Sequence, residues 1–194
     1  VVSREDRASD RRAGRPGRFL GLFGRGSPGW VTRQAVPRGS TAAHTLECMT
    51  ATNTLLVEQI GHEFTASQQY AAFAVWFDQQ ALPQLAGRFY AQSLEERNHA
   101  MMIVNYLMDR GKDVTIPTIP SLAAIPDSVT GMLEFSIAQE EQVTGQFERI
   151  IAAARVDGDY LAEQFTHWFL KEQVEEVSSM STLLQVAKQV GDNL

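Results

Sequence analysis

Four stretches of the chain have the apolar spacing of amphipathic helices, and each places a carboxylate on its apolar face. Apolar residues recur there every three or four positions, over about residues 53–82, 83–111, 128–156 and 160–190. The acidic residues on these faces are Glu63, Glu96, Glu140 and Glu176. A carboxylate is costly to bury unless it is paired or metal-bound. The pattern therefore predicts helices that pack around a shared acidic core.

The second stretch also carries a histidine one turn after its carboxylate. Glu96-x-x-His99 places both side chains on one helix face, because residues three apart are neighbours there. Alone, this spacing most often belongs to an ordinary solvated helix surface. Together with the other inward carboxylates, it is typical of a helix bundle that binds a pair of metal ions. Oxygen ligands with one nitrogen favour iron or manganese over copper, and zinc remains a redox-inert alternative.

The predicted helix ends define the fold class. Pro83 suits the first turn of the second helix, and Asp127 or Ser128 caps the third. The stretch 112–126 contains three prolines and no helical period, which predicts a long crossover. Asp157-Gly158-Asp159 is predicted to end the third helix and to cap the start of the fourth. We therefore predict an all-α four-helix bundle with one long crossover.

Charge is divided unequally along the chain. Residues 1–48 carry nine Arg and four acidic residues, whereas residues 49–194 carry eight basic and nineteen acidic residues, so the net charges are +5 and −11. An acidic folded part disfavours nucleic acid as a partner and attracts cations. The single Cys excludes an intrachain disulfide, and no apolar run approaches the ~18 residues of a membrane span. We expect a cytoplasmic protein that does not bind membranes.

The first 48 residues are predicted to be a disordered leader, separate from a folded domain over residues 49–194. Arg, Gly, Ser and Pro are scattered there without helical or strand period. A transit peptide is the alternative, but Glu5, Asp6 and Asp10 count against it. The helical pattern begins just after Met49, so a start-site artefact is a second alternative.

Three motifs of the folded part resemble those of non-haem bacterial ferritins of the actinobacterial type. They are Gly61-His62-Glu63-Phe64-Thr65-Ala66-Ser67-Gln68-Gln69-Tyr70, Glu95-Glu96-Arg97-Asn98-His99, and the stretch Gln164 to Glu176. The resemblance covers about residues 53–194. Gln173-x-x-Glu176 stands where bacterioferritins have a second Glu-x-x-His, which favours a ferritin proper. Arg97 stands where bacterioferritins have their haem-ligating Met, so no haem is expected.

The resemblance implies a role for each matching residue in a di-iron ferroxidase centre. Glu63, Glu96 and His99 would bind the first iron, and Glu96 would bridge to a second iron bound by Glu140 and Glu176. Gln173 would lie beside the second iron, and Tyr70 would donate a hydrogen bond within the centre. Glu95, Glu172 and Glu175 match the positions of a third iron, although Glu172 and Glu175 also fit a solvated helix face.

The resemblance further implies an iron-storage protein that oxidises Fe(II) with dioxygen or peroxide and keeps the ferric product as mineral. The oligomer would be a twenty-four-subunit cage of identical chains. The chain ends at Leu194, before the short fifth helix usual in ferritins, so we expect that helix to be absent from it. A non-catalytic carrier or shell subunit is the alternative function.

Overall fold

The computed structural model describes residues 50–191, and these form four long α-helices. The helices are α1 (Ala51–Gln79), α2 (Pro83–Asp109), α3 (Val129–Asp157) and α4 (Tyr160–Val190). No strand occurs in this part of the chain, which confirms the predicted all-α class. The predicted leader and the last three residues lie outside the described range. The bounds of α4 match the prediction, whereas α1 ends three residues before the predicted Leu82.

Capping residues, a proline and a glycine define most of the helix ends. Thr50, Ser128 and Asp159 cap the first turns of α1, α3 and α4 by accepting hydrogen bonds from backbone amides. Pro83 occupies the first turn of α2, where its missing N–H is not needed. Gly158 ends α3 with φ of 68°, in the left-handed region that favours glycine. The sequence predicts the starts of the last three helices and the break at Gly158, whereas α2 ends at Asp109, two residues before the predicted Gly111.

The turn between α1 and α2 explains why α1 ends early. Ala81 has φ of 59° and is the one non-glycine residue with positive φ among residues 50–191. The amides of Gln80, Ala81 and Leu82 donate to carbonyl oxygens of the last turn of α1, which closes the helix at Gln79. An alanine gives no sequence signal for such a turn, because left-handed backbone is normally marked by Gly or Asn.

The connection from α2 to α3 runs along α1, as the predicted crossover requires. The Ala123 amide donates to Gln69 Oε1 at 3.1 Å. Nearer the start of α1, a Cβ added to Gly61 would lie 3.2 Å from Pro117 Cβ, so the connection packs closely on that glycine. Because this connection runs the length of the bundle, α3 starts at the same end of the bundle at which α1 ends.

Polar contacts at one end of the bundle fix the helix directions. Thr52 donates through its backbone amide and hydroxyl to Asp157 Oδ2, at 2.9 and 2.6 Å. Arg110 donates to both carboxylate oxygens of Asp159, at 3.1 and 3.2 Å. The start of α1 therefore lies beside the end of α3, and the end of α2 lies beside the start of α4. Each of these pairs is antiparallel.

Two hydrophobic clusters fill the bundle and leave a polar layer between them. The first cluster includes Tyr70, Phe73, Phe77, Phe89, Met132, Leu133 and Met180. The second includes Leu56, Ile60, Ile103, Leu107, Val143, Phe147, Ile150 and Phe169. On every helix the acidic residue of the apolar face lies between the parts that join the two clusters. Burial in the core therefore places these carboxylates at one level, away from both ends.

The buried face of α1 includes two glutamines. Gln59 and Gln69 are 1% and 2% exposed, whereas the nearby Phe64 is half-buried. Gln59 Nε2 donates to the buried Glu63, and Gln69 Oε1 accepts from the crossover, whereas Gln69 Nε2 is buried without a hydrogen-bond partner.

The four helices are not membrane spans. Among residues 50–191, no helix is both long enough and apolar enough to cross a membrane.

Candidate metal centre

Three potential metal ligands from α1 and α2 lie together in the polar layer. Each of Glu63, Glu96 and His99 offers one ligand atom, and the three atoms lie within 4.8 Å of one another. His99 Nδ1 is 3.3 Å from Glu96 Oε2 and 3.9 Å from Glu63 Oε2. Among residues 50–191 this is the one such group. The spacing lets a single ion contact two carboxylates and one imidazole.

Glu63 supplies the clearest evidence that this group suits a cation. Its side chain is fully buried, and its Oε1 accepts a hydrogen bond from Gln59 Nε2 at 2.7 Å. Its Oε2 is buried without a hydrogen-bond partner. Burial and the neighbouring charge of Glu96 raise the pKa of Glu63 well above its usual value. A buried oxygen without a partner, facing a histidine, is the position at which a metal ion compensates the cost of burial.

Glu96 and His99 stabilise each other's charged forms. Burial alone would raise the pKa of Glu96, but hydrogen bonds from His99 and Gln92 outweigh it and lower that pKa. Burial alone would lower the pKa of His99, but the hydrogen bond and charge of Glu96 raise it. The His99 ring packs edge-on against Trp168 and Phe169, with centroids 5.6 Å apart in both cases. Binding a metal ion would displace the proton that this pair shares.

Glu140 of α3 is held by donors on two other helices. The Tyr70 hydroxyl donates to Glu140 Oε1, and Gln173 Nε2 donates to Glu140 Oε2 at 3.0 Å. Burial and the charge of Glu96 raise the pKa of Glu140 to about 8. Burial and the charge of Glu140 raise the pKa of Tyr70 well above 10, so the phenol stays protonated and donates. Glu140 therefore carries a proton at neutral pH unless a bound cation replaces that proton.

Glu176 of α4 is connected to the three-ligand group through an amide. Gln92 Nε2 donates to Glu96 Oε1 at 2.9 Å and to Glu176 Oε2 at 2.7 Å. Burial, together with the charges of Glu96 and Glu95, raises the pKa of Glu176 to about 7. Glu140 and Glu176 lie outside the group of three, but the charge of Glu96 contributes to the raised pKa of both. The polar layer thus contains three ligands spaced to bind one ion, with two further carboxylates beside them.

The residues matched to a third iron lie at the surface edge of this layer. Glu95 and Glu175 are exposed, and Glu172 is partly buried. Together with Glu176 they line an open depression between α2 and α4, in which Arg88 donates to Ser179 at 2.6 Å. These residues form an acidic surface beside the buried polar layer.

Two buried glutamines of the site were not assigned a role from the sequence. Gln59 and Gln92 are each 1% exposed and donate to proposed ligands. Each lies four residues before its carboxylate on the same helix, so a Gln-x-x-x-Glu spacing on an inward face is the signal that could have found them. His62 and His167, the other two histidines among residues 50–191, are exposed.

Comparison with known proteins identifies the family to which the chain is similar. A family model described as the Ferritin-like domain matches residues 53–190. The chain is 54% identical over 140 residues to Ferritin BfrB of Mycolicibacterium smegmatis, a match that covers 72% of this chain and 77% of the relative. It is 34% identical over 138 residues to the bacterial non-heme ferritin of Staphylococcus aureus, covering 71% of this chain and 83% of the relative.

The fold is also found among solved structures. An open pore ferritin from the archaeon Archaeoglobus fulgidus aligns with a TM-score of 0.72 at 24% identity, covering 75% of this chain and 88% of that one. At this identity the likeness shows the four-helix architecture alone.

Proposed function

The chain belongs to the ferritin family, and we propose that it oxidises Fe(II) to Fe(III) with dioxygen and stores the ferric product as mineral inside a cage of identical subunits. The observation that carries this proposal is the buried group of Glu63, Glu96 and His99, whose ligand atoms lie within 4.8 Å of one another. A helical bundle gains no stability from burying these groups without a cation. Their placement supports a metal-binding function of the polar layer.

Iron is the substrate that these ligands suit. Glu63, Glu96 and His99 would bind one Fe(II), and Glu140 and Glu176 would bind a second, with Glu96 shared between the two ions. Carboxylates are hard ligands that stabilise Fe(III) more than Fe(II), so the site favours loss of an electron from each ion. A pair of ions supplies two electrons, which reduce one dioxygen to hydrogen peroxide with the uptake of two protons.

The other residues of the layer position the ligands and control access of water. Tyr70 and Gln173 fix the Glu140 carboxylate by hydrogen bonds. Trp168 and Phe169 cover one side of His99, and Tyr70 packs on Phe89 with ring centroids 5.7 Å apart. These contacts hold the ligand atoms in place without a solvent shell, which strengthens their attraction for cations. Glu95, Glu172 and Glu175 would bind a third ion at the edge of the layer.

Assembly and location follow from the family and are part of the same proposal. We propose a twenty-four-subunit cage in the cytoplasm, without bound haem, nucleic acid or membrane. The mass of the purified particle in solution tests the subunit number directly. Mass by light scattering, measured with and without iron, also shows whether mineral accumulates in the particle.

A ligand-deletion experiment tests the proposed oxidation. We expect the double variant Glu96→Ala with His99→Ala to fold and assemble, but to oxidise Fe(II) no faster than buffer, because it lacks the shared carboxylate and the one nitrogen ligand. A matched control replaces two exposed residues of α3, Gln142→Ala with Glu148→Ala. An unchanged initial rate in the folded ligand-deletion variant would show that oxidation occurs elsewhere. A wild-type protein that binds iron but does not oxidise it would be a carrier or shell subunit instead.

A further inference from the structure

Gln92 joins two of the proposed ligands across the bundle. Its side chain is 1% exposed, on α2, one turn before Glu96. A single amide nitrogen donates to Glu96 Oε1 at 2.9 Å and to Glu176 Oε2 at 2.7 Å. These carboxylates belong to different helices, 80 positions apart in the sequence. Both hydrogens of the amide are therefore engaged by groups that the proposed function assigns to iron.

The other end of the same amide is left without a partner. Gln92 Oε1 is buried and accepts no hydrogen bond. An unpaired buried carbonyl is a cost to the fold that an apolar side chain of the same size would avoid. The two hydrogen bonds that Gln92 Nε2 donates are therefore the reason for an amide at this position, and both go to carboxylates.

We propose that Gln92 is a positioning residue that preforms the second iron site by holding Glu96 and Glu176 toward each other. This inference rests on the proposed function. The hydrogen bond to Glu96 Oε1 leaves Oε2 directed at His99, 3.3 Å away. The hydrogen bond to Glu176 Oε2 leaves Oε1 for an ion. Each carboxylate has enough lone pairs to accept from Gln92 and bind a cation at the same time.

The two carboxylates do not depend on Gln92 equally. Glu96 also contacts His99, so it keeps one partner when Gln92 is lost. Glu176 accepts one side-chain hydrogen bond within residues 50–191, and Gln92 is its donor. Loss of the amide should therefore free Glu176 to change rotamer while Glu63, Glu96 and His99 stay in place. The defect is expected in binding of the second ion and not of the first.

Stepwise binding of Co(II) to the assembled protein tests this inference without any oxidation. Co(II) takes similar ligands and is not oxidised by dioxygen under these conditions, so its two binding steps can be measured by calorimetry and by visible absorption. For Gln92→Met we expect an unchanged first dissociation constant and a second one raised about tenfold or more, the usual effect of losing a residue that orients a ligand.

Two further variants make the result specific. Gln92→Asn keeps an amide but is too short to reach both carboxylates, so it should show the same loss and serves if Gln92→Met does not fold. Gln146→Met is the matched control: Gln146 is also buried, at 4% exposure, and its Oε1 also has no partner. It makes no hydrogen bond to a proposed ligand in the described part of the chain, so both of its dissociation constants should equal those of wild type.

The possible failures are distinguishable. If wild type binds fewer than two Co(II) ions per chain, the di-iron centre and the role of Gln92 are both overturned. If wild type binds two ions and the Gln92 variants bind them equally well, or lose both steps equally, only the positioning role is overturned. The positioning role alone is also overturned if Gln146→Met weakens binding of the second Co(II) ion as much as Gln92→Met does.

Discussion

The metal-free protein should lose stability as the pH rises from 5 to 8. The pKa of Glu140 is 4.5 in an ordinary setting and about 8 in the folded protein, mainly because the carboxyl is buried. A carboxyl whose pKa is raised by folding holds its proton more tightly in the folded state. Its contribution to stability is therefore complete below pH 4.5 and is lost as the pH rises through its folded-state pKa.

The size of the effect follows from the pKa of Glu140. Each pH unit between the unfolded and folded pKa values is worth about 1.4 kcal/mol, so three units from pH 5 to 8 remove up to about 4 kcal/mol. For a domain of this size that corresponds to a fall of roughly 10 °C in the unfolding temperature. The pKa of Glu176, raised to about 7, adds to the loss in the same direction.

Scanning calorimetry of chelator-treated protein at pH 5, 6, 7 and 8 measures this loss. The variant Glu140→Gln cannot ionise at this position, so its unfolding temperature should fall less over the same range, with the remaining fall due to Glu63 and Glu176. Comparing slopes removes any constant cost of the substitution at its contacts with Tyr70 and Gln173. A wild-type unfolding temperature that is flat or rises from pH 5 to 8, or an equal slope in the variant, would refute the assignment of a protonated Glu140.

Two other variants test the hydrogen bonding and the packing of the first hydrophobic cluster. Tyr70→Phe removes the donor to Glu140 Oε1, so we expect weaker binding of the second Co(II) ion with the first step unchanged; equal affinities in calorimetry would contradict this. Phe73→Ala opens a cavity at a fully buried position and should lower the free energy of unfolding by about 3–5 kcal/mol. Its control, Val75→Ala, lies at a position 46% exposed and should change that energy by less than about 0.5 kcal/mol; similar losses in denaturant titrations of both would show that the cluster is not packed as described.

Much of the fold could be predicted because the helix ends carry their own chemistry. Ser128, Asp159 and Gly158 are ordinary capping residues, and α4 has approximately the bounds that the sequence predicts. The end of α1 was not predicted, since Ala81 adopts a left-handed backbone conformation that its residue type does not indicate. Tertiary context sets that turn, and a local pattern cannot show it.

The site could be predicted only as a set of inward positions. Helical spacing puts Glu63, Glu96, Glu140 and Glu176 on buried faces, and all four are buried. Spacing within one helix does not show which groups meet across the bundle, so the link from Gln92 to Glu176 emerges only when α2 and α4 are placed side by side. That the four carboxylates and His99 bind iron remains a prediction of the sequence and a proposal from the structure.

Anaerobic titration with Fe(II), followed by a pulse of dioxygen, tests the central claim most directly. We predict that each chain of the assembled protein binds two Fe(II) ions tightly, and that the pulse oxidises both in a fast phase seen by optical absorption. The double variant Glu96→Ala with His99→Ala should lack that phase. Tight iron binding followed by oxidation only at the rate of buffer would contradict the account, and would make the protein a carrier or shell subunit.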